Sequence, residues 1–90
     1  MKQLPKHLYS LFWDINIKTF KPIEHPDYTI SRVLELGNEK AVTWIKATFS
    51  EEQIKNVIKS NHRLSQKSAN FWAILYDIPV NKVRALTKII

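Results

Sequence analysis

Glycine is almost missing from this chain: Gly37 is the single one among 90 residues, and there are four prolines. A sheet of many strands needs a tight turn after each strand, and such turns depend on glycine and proline. Helices joined by short polar links need little of either residue. The sequence therefore predicts an all-α fold. Because 90 residues with 44% hydrophobic side chains can build one core, we expect a compact single domain over residues 1–90 with five to six short helices.

The densest apolar segment of the chain runs from Ser65 to Pro79, with the sequence SQKSANFWAILYDIP. A serine at the start is a good N-cap, and a proline cannot continue a helix, so both ends of a helix are marked. We interpret this segment as a buried helix around which the others assemble. The expected inward side chains occupy most of its circumference, namely Ala69, Phe71, Trp72, Ala73, Leu75, Tyr76 and Ile78.

The first half of the chain predicts three further helices. A short one begins at Leu4 or Pro5 and ends at Trp13 and Asp14. Residues 15–26 lack a helical period, so we interpret them as a loop whose apolar residues reach the core. A second helix covers Asp27 to Leu36, and a third, capped by Asn38, continues to Thr48.

The second half opens with a capping box, Ser50 to Gln53, in which the serine oxygen and the glutamine side chain each satisfy a backbone amide. This motif predicts a helix from Glu51 to Ser60. After Pro79 the spacing of four apolar residues indicates a last amphipathic helix with an inward stripe of Val80, Val83, Leu86 and Ile90.

Most enzymatic constellations are missing from the sequence. One glycine cannot form a phosphate-binding loop, and the three histidines contain no i, i+4 pair that would indicate a metal site. There is no cysteine, and no serine, histidine and aspartate are placed in a recognisable catalytic pattern. We therefore predict no enzyme activity, no catalytic residue, no cofactor and no metal. No apolar run reaches the ~20 residues of a membrane span, so we expect a cytoplasmic protein without a membrane partner.

The net charge of +6 is concentrated in the second half of the chain. Up to Ile45 there are six Lys or Arg residues against five acids, and from Lys46 onward eight against three. A basic half favours either nucleic acid or an acidic protein as a partner, and the charge alone does not choose between them.

A helix-turn-helix-like pair over residues 51–77 is the best candidate for DNA binding. In such a motif the N-terminal part of the second helix meets base edges, while nearby cations hold phosphates. Glutamine and asparagine can pair with adenine, and lysine or arginine with guanine. The expected base contacts are Arg63, Gln66, Lys67 and Asn70, and the expected phosphate contacts are Lys55 and Lys59. The competing interpretation is an ordinary helical hairpin with a solvated basic face.

Binding to a protein partner is the second candidate. The aromatic residues Trp13, Phe20, Tyr28, Trp44 and Phe49 cannot all be inside a domain of this size. Exposed aromatics beside Arg or Lys are typical anchors of protein interfaces. For a protein partner we expect contacts by Trp44, Arg63 and Lys67.

Several short motifs resemble an uncharacterised family of small bacterial proteins. The fairly specific ones are LFWD at 11–14 and SANFWA at 68–73. They are joined by Leu4-Pro5, His7-Leu8, Arg32 to Glu35, Gly37, Trp44 and Arg63 to Ser65. Members of this family look like single helical domains and are often encoded beside nucleotidyltransferase-type toxins of the abortive-infection class. The resemblance implies a role as antitoxin or accessory regulator, and it supplies no catalytic residue.

Together these features favour a non-enzymatic intracellular regulator that binds a macromolecule. An antitoxin-like protein partner, with a nucleotidyltransferase-type toxin as the implied class, is favoured slightly over double-stranded DNA. A homodimer is compatible with both alternatives.

Overall fold

The computed structural model describes residues 4–60 and 64–87, and over these residues it contains helices and loops but no β-strand. Five α-helices follow one another in the described part: α1 (Pro26–Leu36), α2 (Glu39–Thr48), α3 (Glu51–Ser60), α4 (Gln66–Leu75) and α5 (Arg84–Thr87). Three short 3-10 helices accompany them, at Lys6–Phe12, Pro22–Glu24 and Val80–Lys82. The prediction of an all-α fold is confirmed.

The predicted helix starts are confirmed by their cap hydrogen bonds. The Asn38 side chain accepts from the Ala41 amide at 3.0 Å. The capping box has both of its bonds, since the Gln53 amide donates to Ser50 Oγ at 3.1 Å and the Ser50 amide donates to Gln53 Oε1 at 3.0 Å. Ser65 Oγ accepts from the Ser68 amide at 3.1 Å. Each cap satisfies an amide that has no partner inside its own helix.

The apolar side chains of the segment before α1 pack against the core. The first predicted helix is present as the 3-10 helix Lys6–Phe12, which buries Leu8 and Phe12. The predicted loop over residues 15–26 contains the short 3-10 helix Pro22–Glu24, and Ile15, Ile17 and Phe20 in this loop are partly buried against the core. The loop therefore contributes to the core as expected, except that Ile23 is 49% exposed.

The centre of the molecule is formed by α1 and α3, which pack against each other. Each presents a stripe of β-branched residues to this contact, and all five are at most 1% exposed: Ile30, Val33, Ile54, Val57 and Ile58. Side chains from the other helices surround the stripe, so a single hydrophobic cluster extends through the described part of the chain.

Gly37 separates α1 from α2, and it is required for space rather than for an unusual backbone angle. Its φ of −79° is accessible to any residue. A Cβ atom at this position would lie 2.7 Å from the Val33 carbonyl oxygen and 2.9 Å from Ala41 Cβ. Both neighbours belong to helices and cannot move aside cheaply, so the tight connection between the two helices depends on the missing side chain.

The prediction that α4 is the buried central helix is wrong. Leu75 is 60% exposed and Phe71 is 54% exposed, while Trp72 is only partly buried. The deeply buried residues of α4 are small, namely Ala69 and Ala73. The periodicity of the segment could not reveal which side is buried, because large apolar residues occur on most sides of the helix. The side with the alanines is buried because small side chains allow a neighbouring element to approach closely.

The end of the chain also differs from the prediction. In place of one amphipathic helix after Pro79, the chain forms the 3-10 helix Val80–Lys82 and the four-residue α5. Val83 is buried and Leu86 is partly buried, as expected, but Val80 is 54% exposed. The predicted inward position of Ile90 lies outside the described residues. Across residues 4–60 and 64–87, no helix has the length and the apolarity that crossing a bilayer requires.

Candidate interaction surface

The side of α4 that points away from the core is the most apolar exposed surface on any helix of the described chain. Phe71, Ile74 and Leu75 are 54%, 68% and 60% exposed. They are spaced by three and four residues, so they share one side of the helix, and Lys67 and Asn70 extend this side toward the N-terminus. We call these five residues the outer face of α4. The prediction from sequence missed Ile74, because apolar residues on every side of α4 hid which side faces water.

Two hydrogen bonds hold α4 against α1, and two alanines form the buried side of α4. Ala69 and Ala73 lie one turn apart and are buried. The indole nitrogen of Trp72 donates to the Leu34 carbonyl at 2.9 Å, and the Ser65 amide donates to Glu35 Oε1 at 2.9 Å. Trp72 and Tyr76 are partly buried against the core, whereas Phe71, Ile74 and Leu75 are exposed on the outer face.

The C-terminal end of α4 has a left-handed residue, Asp77, with a φ of 57°. Its amide donates to the Ile74 carbonyl at 3.2 Å, and the Ile78 amide donates to the Ala73 carbonyl at 2.8 Å. This pair of bonds is the Schellman arrangement, which satisfies the last carbonyls of a helix. Glycine is the usual residue at this position, so aspartate there carries a conformational cost.

The residues predicted to contact DNA or protein are only partly brought together. Gln66, Lys67 and Asn70 are all exposed in the first turns of α4. Lys59 is partly buried on α3, which packs against α4. Arg63 lies outside the described residues. The exposed polar group at the start of α4 is therefore present as predicted.

Lys55 lies apart from this group. It forms an ion pair with Glu51 at 3.2 Å, and both side chains interact electrostatically with Tyr76, beyond the C-terminal end of α4. Burial is the main cause that raises the pKa of Tyr76, and Glu51 raises it further while Lys55 lowers it. Since α4 is about 15 Å long, Lys55 and Gln66 are close to opposite ends of this helix.

Trp44 is also separate from the outer face. It lies partly buried on α2, in a T-shaped contact with Phe49 whose ring centroids are 6.1 Å apart. The main neighbour of α2 is α1. Of the other aromatics predicted to be candidates for an interface, Phe49 is buried, Phe20 and Tyr28 are partly buried, and Trp13 is 69% exposed.

A cluster around Arg32 was not predicted. The guanidinium donates to the Leu11 carbonyl at 3.1 Å, to Asp14 Oδ2 at 2.8 Å and to the Tyr28 hydroxyl. It also lies 4.7 Å from the ring centroid of Trp13, a cation–π distance. Apart from the Tyr28 contact within α1, these contacts join residues 18 to 21 positions apart, so no local pattern could have revealed them, although the LFWD motif supplies three of the partners.

The charge state of this cluster is set by Arg32. Its hydrogen bond is the main cause that lowers the pKa of Asp14, against a smaller opposing effect of desolvation. Asp14 is therefore ionised at neutral pH. An open cleft of about 420 Å³ adjoins the cluster and is lined in part by Trp13, Glu35 and Leu36. The guanidinium already has three hydrogen-bond partners. We therefore interpret the cluster as a structural contact that holds the N-terminal 3-10 helix against α1, rather than as an anion-binding site.

Groups of three or more histidine, aspartate or glutamate side chains that could hold a metal ion do not occur among the residues that the structure describes. The chain contains no cysteine.

Comparisons with known proteins give one match. The sequence profile of a family of unknown function, DUF6922, matches residues 8–58, which is more than half of the chain. The matched region contains the Arg32 cluster and ends within α3, before α4 begins. No curated protein and no solved structure matches the chain.

Proposed function

We propose that this protein, which belongs to the family of unknown function DUF6922, is a non-enzymatic regulator. In this proposal it binds another protein through the outer face of α4. The observation that carries the proposal is the exposure of Phe71, Ile74 and Leu75 on one side of a ten-residue helix. Exposed apolar residues are common singly, but a contiguous group on one side of a helix is typical of a docking surface.

The chemistry of the outer face suits a protein partner. Aromatic and large aliphatic side chains are the usual anchors of protein interfaces, and polar groups usually form their rim. Here Gln66, Lys67 and Asn70 would form that rim at the N-terminal end. A nucleotidyltransferase-type toxin, the partner class implied by the resemblance of the LFWD and SANFWA motifs, belongs to this proposal as an antitoxin-like role.

In-cell photo-crosslinking tests the docking surface. A benzophenone amino acid is placed at position 71 and, as the matched control, at position 80. Phe71 and Val80 are both 54% exposed, but only Phe71 lies on α4. We expect protein adducts from position 71 and at least tenfold fewer from position 80. Equal labelling at the two positions, or none at position 71, would contradict the proposal.

The antitoxin-like role needs a separate test. The chain is co-expressed with a nucleotidyltransferase-type toxin of the class that the resemblance implies, and co-purification and growth rescue are measured. We expect both to be lost in Phe71→Glu and retained in Val80→Glu. If wild-type chain neither co-purifies with the toxin nor restores growth, the antitoxin-like role is wrong even when the docking surface is real.

Binding to double-stranded DNA is the second candidate, and the exposure of Gln66, Lys67 and Asn70 in the first turns of α4 favours it. A band shift that weakens steeply as salt rises would support it. Lys67→Glu should then abolish the shift. Lys40→Glu is the matched control, because Lys40 is also exposed at the second position of a capped helix. A chain that shifts no duplex at low salt excludes this candidate.

A further inference from the structure

We infer that the outer face of α4 binds the same face of a second copy of this chain, with the two α4 helices antiparallel. The inference rests on the proposed function, in that it takes this face to be a docking surface, and it names the occupant. Two features of α4 lead to a second copy: the distribution of its charges and the register of its apolar residues.

The charged side chains that α4 itself carries are at the ends its dipole disfavours, although Glu35 of α1 lies at its N-terminal end. A helix has a positive N-terminal end and a negative C-terminal end, which favour acidic and basic side chains respectively. Lys67 lies in the first turn, and no acidic residue does. Asp77 follows the last turn, where the helix has no basic residue. Within the described residues neither side chain has a hydrogen bond or an ion pair.

An antiparallel pair gives Lys67 and Asp77 each a partner of opposite charge. In such a pair related by a two-fold axis, residues whose numbers have a constant sum face each other. Lys67 and Asp77 of the second copy have a sum of 144, so each cation meets the aspartate at the negative end of the opposite helix. The same contact occurs twice because of the symmetry.

The apolar residues have the same register as the charges. Phe71 with Ile74 of the second copy has a sum of 145, and Phe71 with Leu75 of the second copy has a sum of 146. These values agree with the charge pair to within two residues, which is a shift of about 3 Å along a helix. A two-fold axis near residues 72 and 73 therefore places apolar side chains in the middle and opposite charges at both rims.

The size of the face predicts a weak dimer. Two ten-residue helices bury less than the roughly 1,200–2,000 Å² of a stable protein interface, so we expect a dissociation constant on the order of 100 μM.

The antiparallel arrangement of the two α4 helices also affects how the dimer could bind DNA. The two N-termini of α4 would be about 15–18 Å apart, whereas paired recognition helices lie about 34 Å apart. This dimer would therefore not read two successive major grooves.

Sedimentation equilibrium of the full chain tests the dimer. The concentrations run from ~10 μM to ~1 mM, so they extend from below to above the expected dissociation constant. We expect the average mass to rise from 10.6 kDa toward twice that value. Lys67→Glu and Asp77→Lys should each weaken association at least tenfold, and the double variant should restore it to within about threefold. Lys40→Glu, the matched charge change on α2, should leave association unchanged. A wild-type chain that stays monomeric at ~1 mM overturns the inference, and so does a double variant that fails to recover while remaining folded by circular dichroism.

Disulfide trapping provides a second readout that does not need Asp77 to be replaced. The chain has no cysteine, so Phe71→Cys and Leu75→Cys chains can be mixed under mild oxidation. The antiparallel register predicts that the mixed disulfide forms faster than either symmetric one, and faster symmetric products would contradict it. The two proposals can fail separately: crosslinks from position 71 only to other proteins, with a monomeric wild-type chain, would leave the docking surface and remove the self-association.

Discussion

At the scale of single residues, Arg32 shows how one side chain joins distant parts of the chain. Its guanidinium reaches the Leu11 carbonyl in one direction and Asp14 in another. Replacement by lysine keeps the charge but removes the planar fork that serves both acceptors. We expect Arg32→Lys to lower the free energy of unfolding by about 1–3 kcal/mol, measured by urea denaturation at pH 7.

The difference in free energy of unfolding between the wild-type and Arg32→Lys chains should depend on pH, and this dependence tests the ion pair between Arg32 and Asp14. Arg32 lowers the pKa of Asp14 in the folded protein, so the unfolded chain binds the proton more readily and stability rises with pH in this range. The contribution is complete above the ordinary aspartate pKa of 3.8 and is lost as the pH falls through the lower folded pKa. The gap between wild-type and Arg32→Lys chains should therefore narrow in acid. A gap of constant size from pH 6 to pH 2 would show that Asp14 has no part in it.

At the scale of the helices, a contact could be predicted from sequence only where its two residues are close to each other along the chain. The caps at Asn38, Ser50 and Ser65 were predictable because each bond joins residues three apart. The exposed side of α4 was not predictable, because that depends on which neighbour approaches Ala69 and Ala73. The Arg32 cluster also needs contacts that form only in the folded chain. In the candidate surface, the polar residues Gln66, Lys67 and Asn70 were predicted, Phe71 and Leu75 were assigned to the wrong side, and Ile74 was not assigned.

The cap of α4 can be tested against a matched serine. Ser65 Oγ satisfies the Ser68 amide, whereas Ser60 Oγ donates to the Asn56 carbonyl at 2.7 Å in the last turn of α3. Loss of an N-cap usually costs about 1 kcal/mol, while a serine that bonds back within its helix contributes little. We expect Ser65→Ala to lower the denaturation midpoint and Ser60→Ala to leave it nearly unchanged. Equal effects would mean that the hydroxyl of Ser65 does not act as a cap.

At the scale of the whole molecule, two phenylalanines distinguish the core from the docking surface. Phe12 is fully buried, with ring centroids 5.5 Å from Phe20 and 5.9 Å from Tyr28, whereas Phe71 is more than half exposed. We expect Phe12→Ala to cost about 3–5 kcal/mol and Phe71→Ala less than about 0.5 kcal/mol. Both are measured by denaturation at ~5 μM, well below the expected dissociation constant of the dimer. A large loss in Phe71→Ala at this concentration would place that ring in the core instead.

The bond between the Trp72 indole and the Leu34 carbonyl has a consequence for how the chain can be divided. Leu34 is in the last turn of α1, where carbonyls have no partner within the helix, so a side chain from α4 completes the end of α1. Glu35 likewise accepts from the first cap residue of α4. A fragment cut at the limits of the matched family region, residues 8–58, would leave both acceptors unpaired and would uncover the side of α1 that α4 covers. We therefore expect that excised fragment not to fold on its own, and α1 and α4 should melt as one cooperative block.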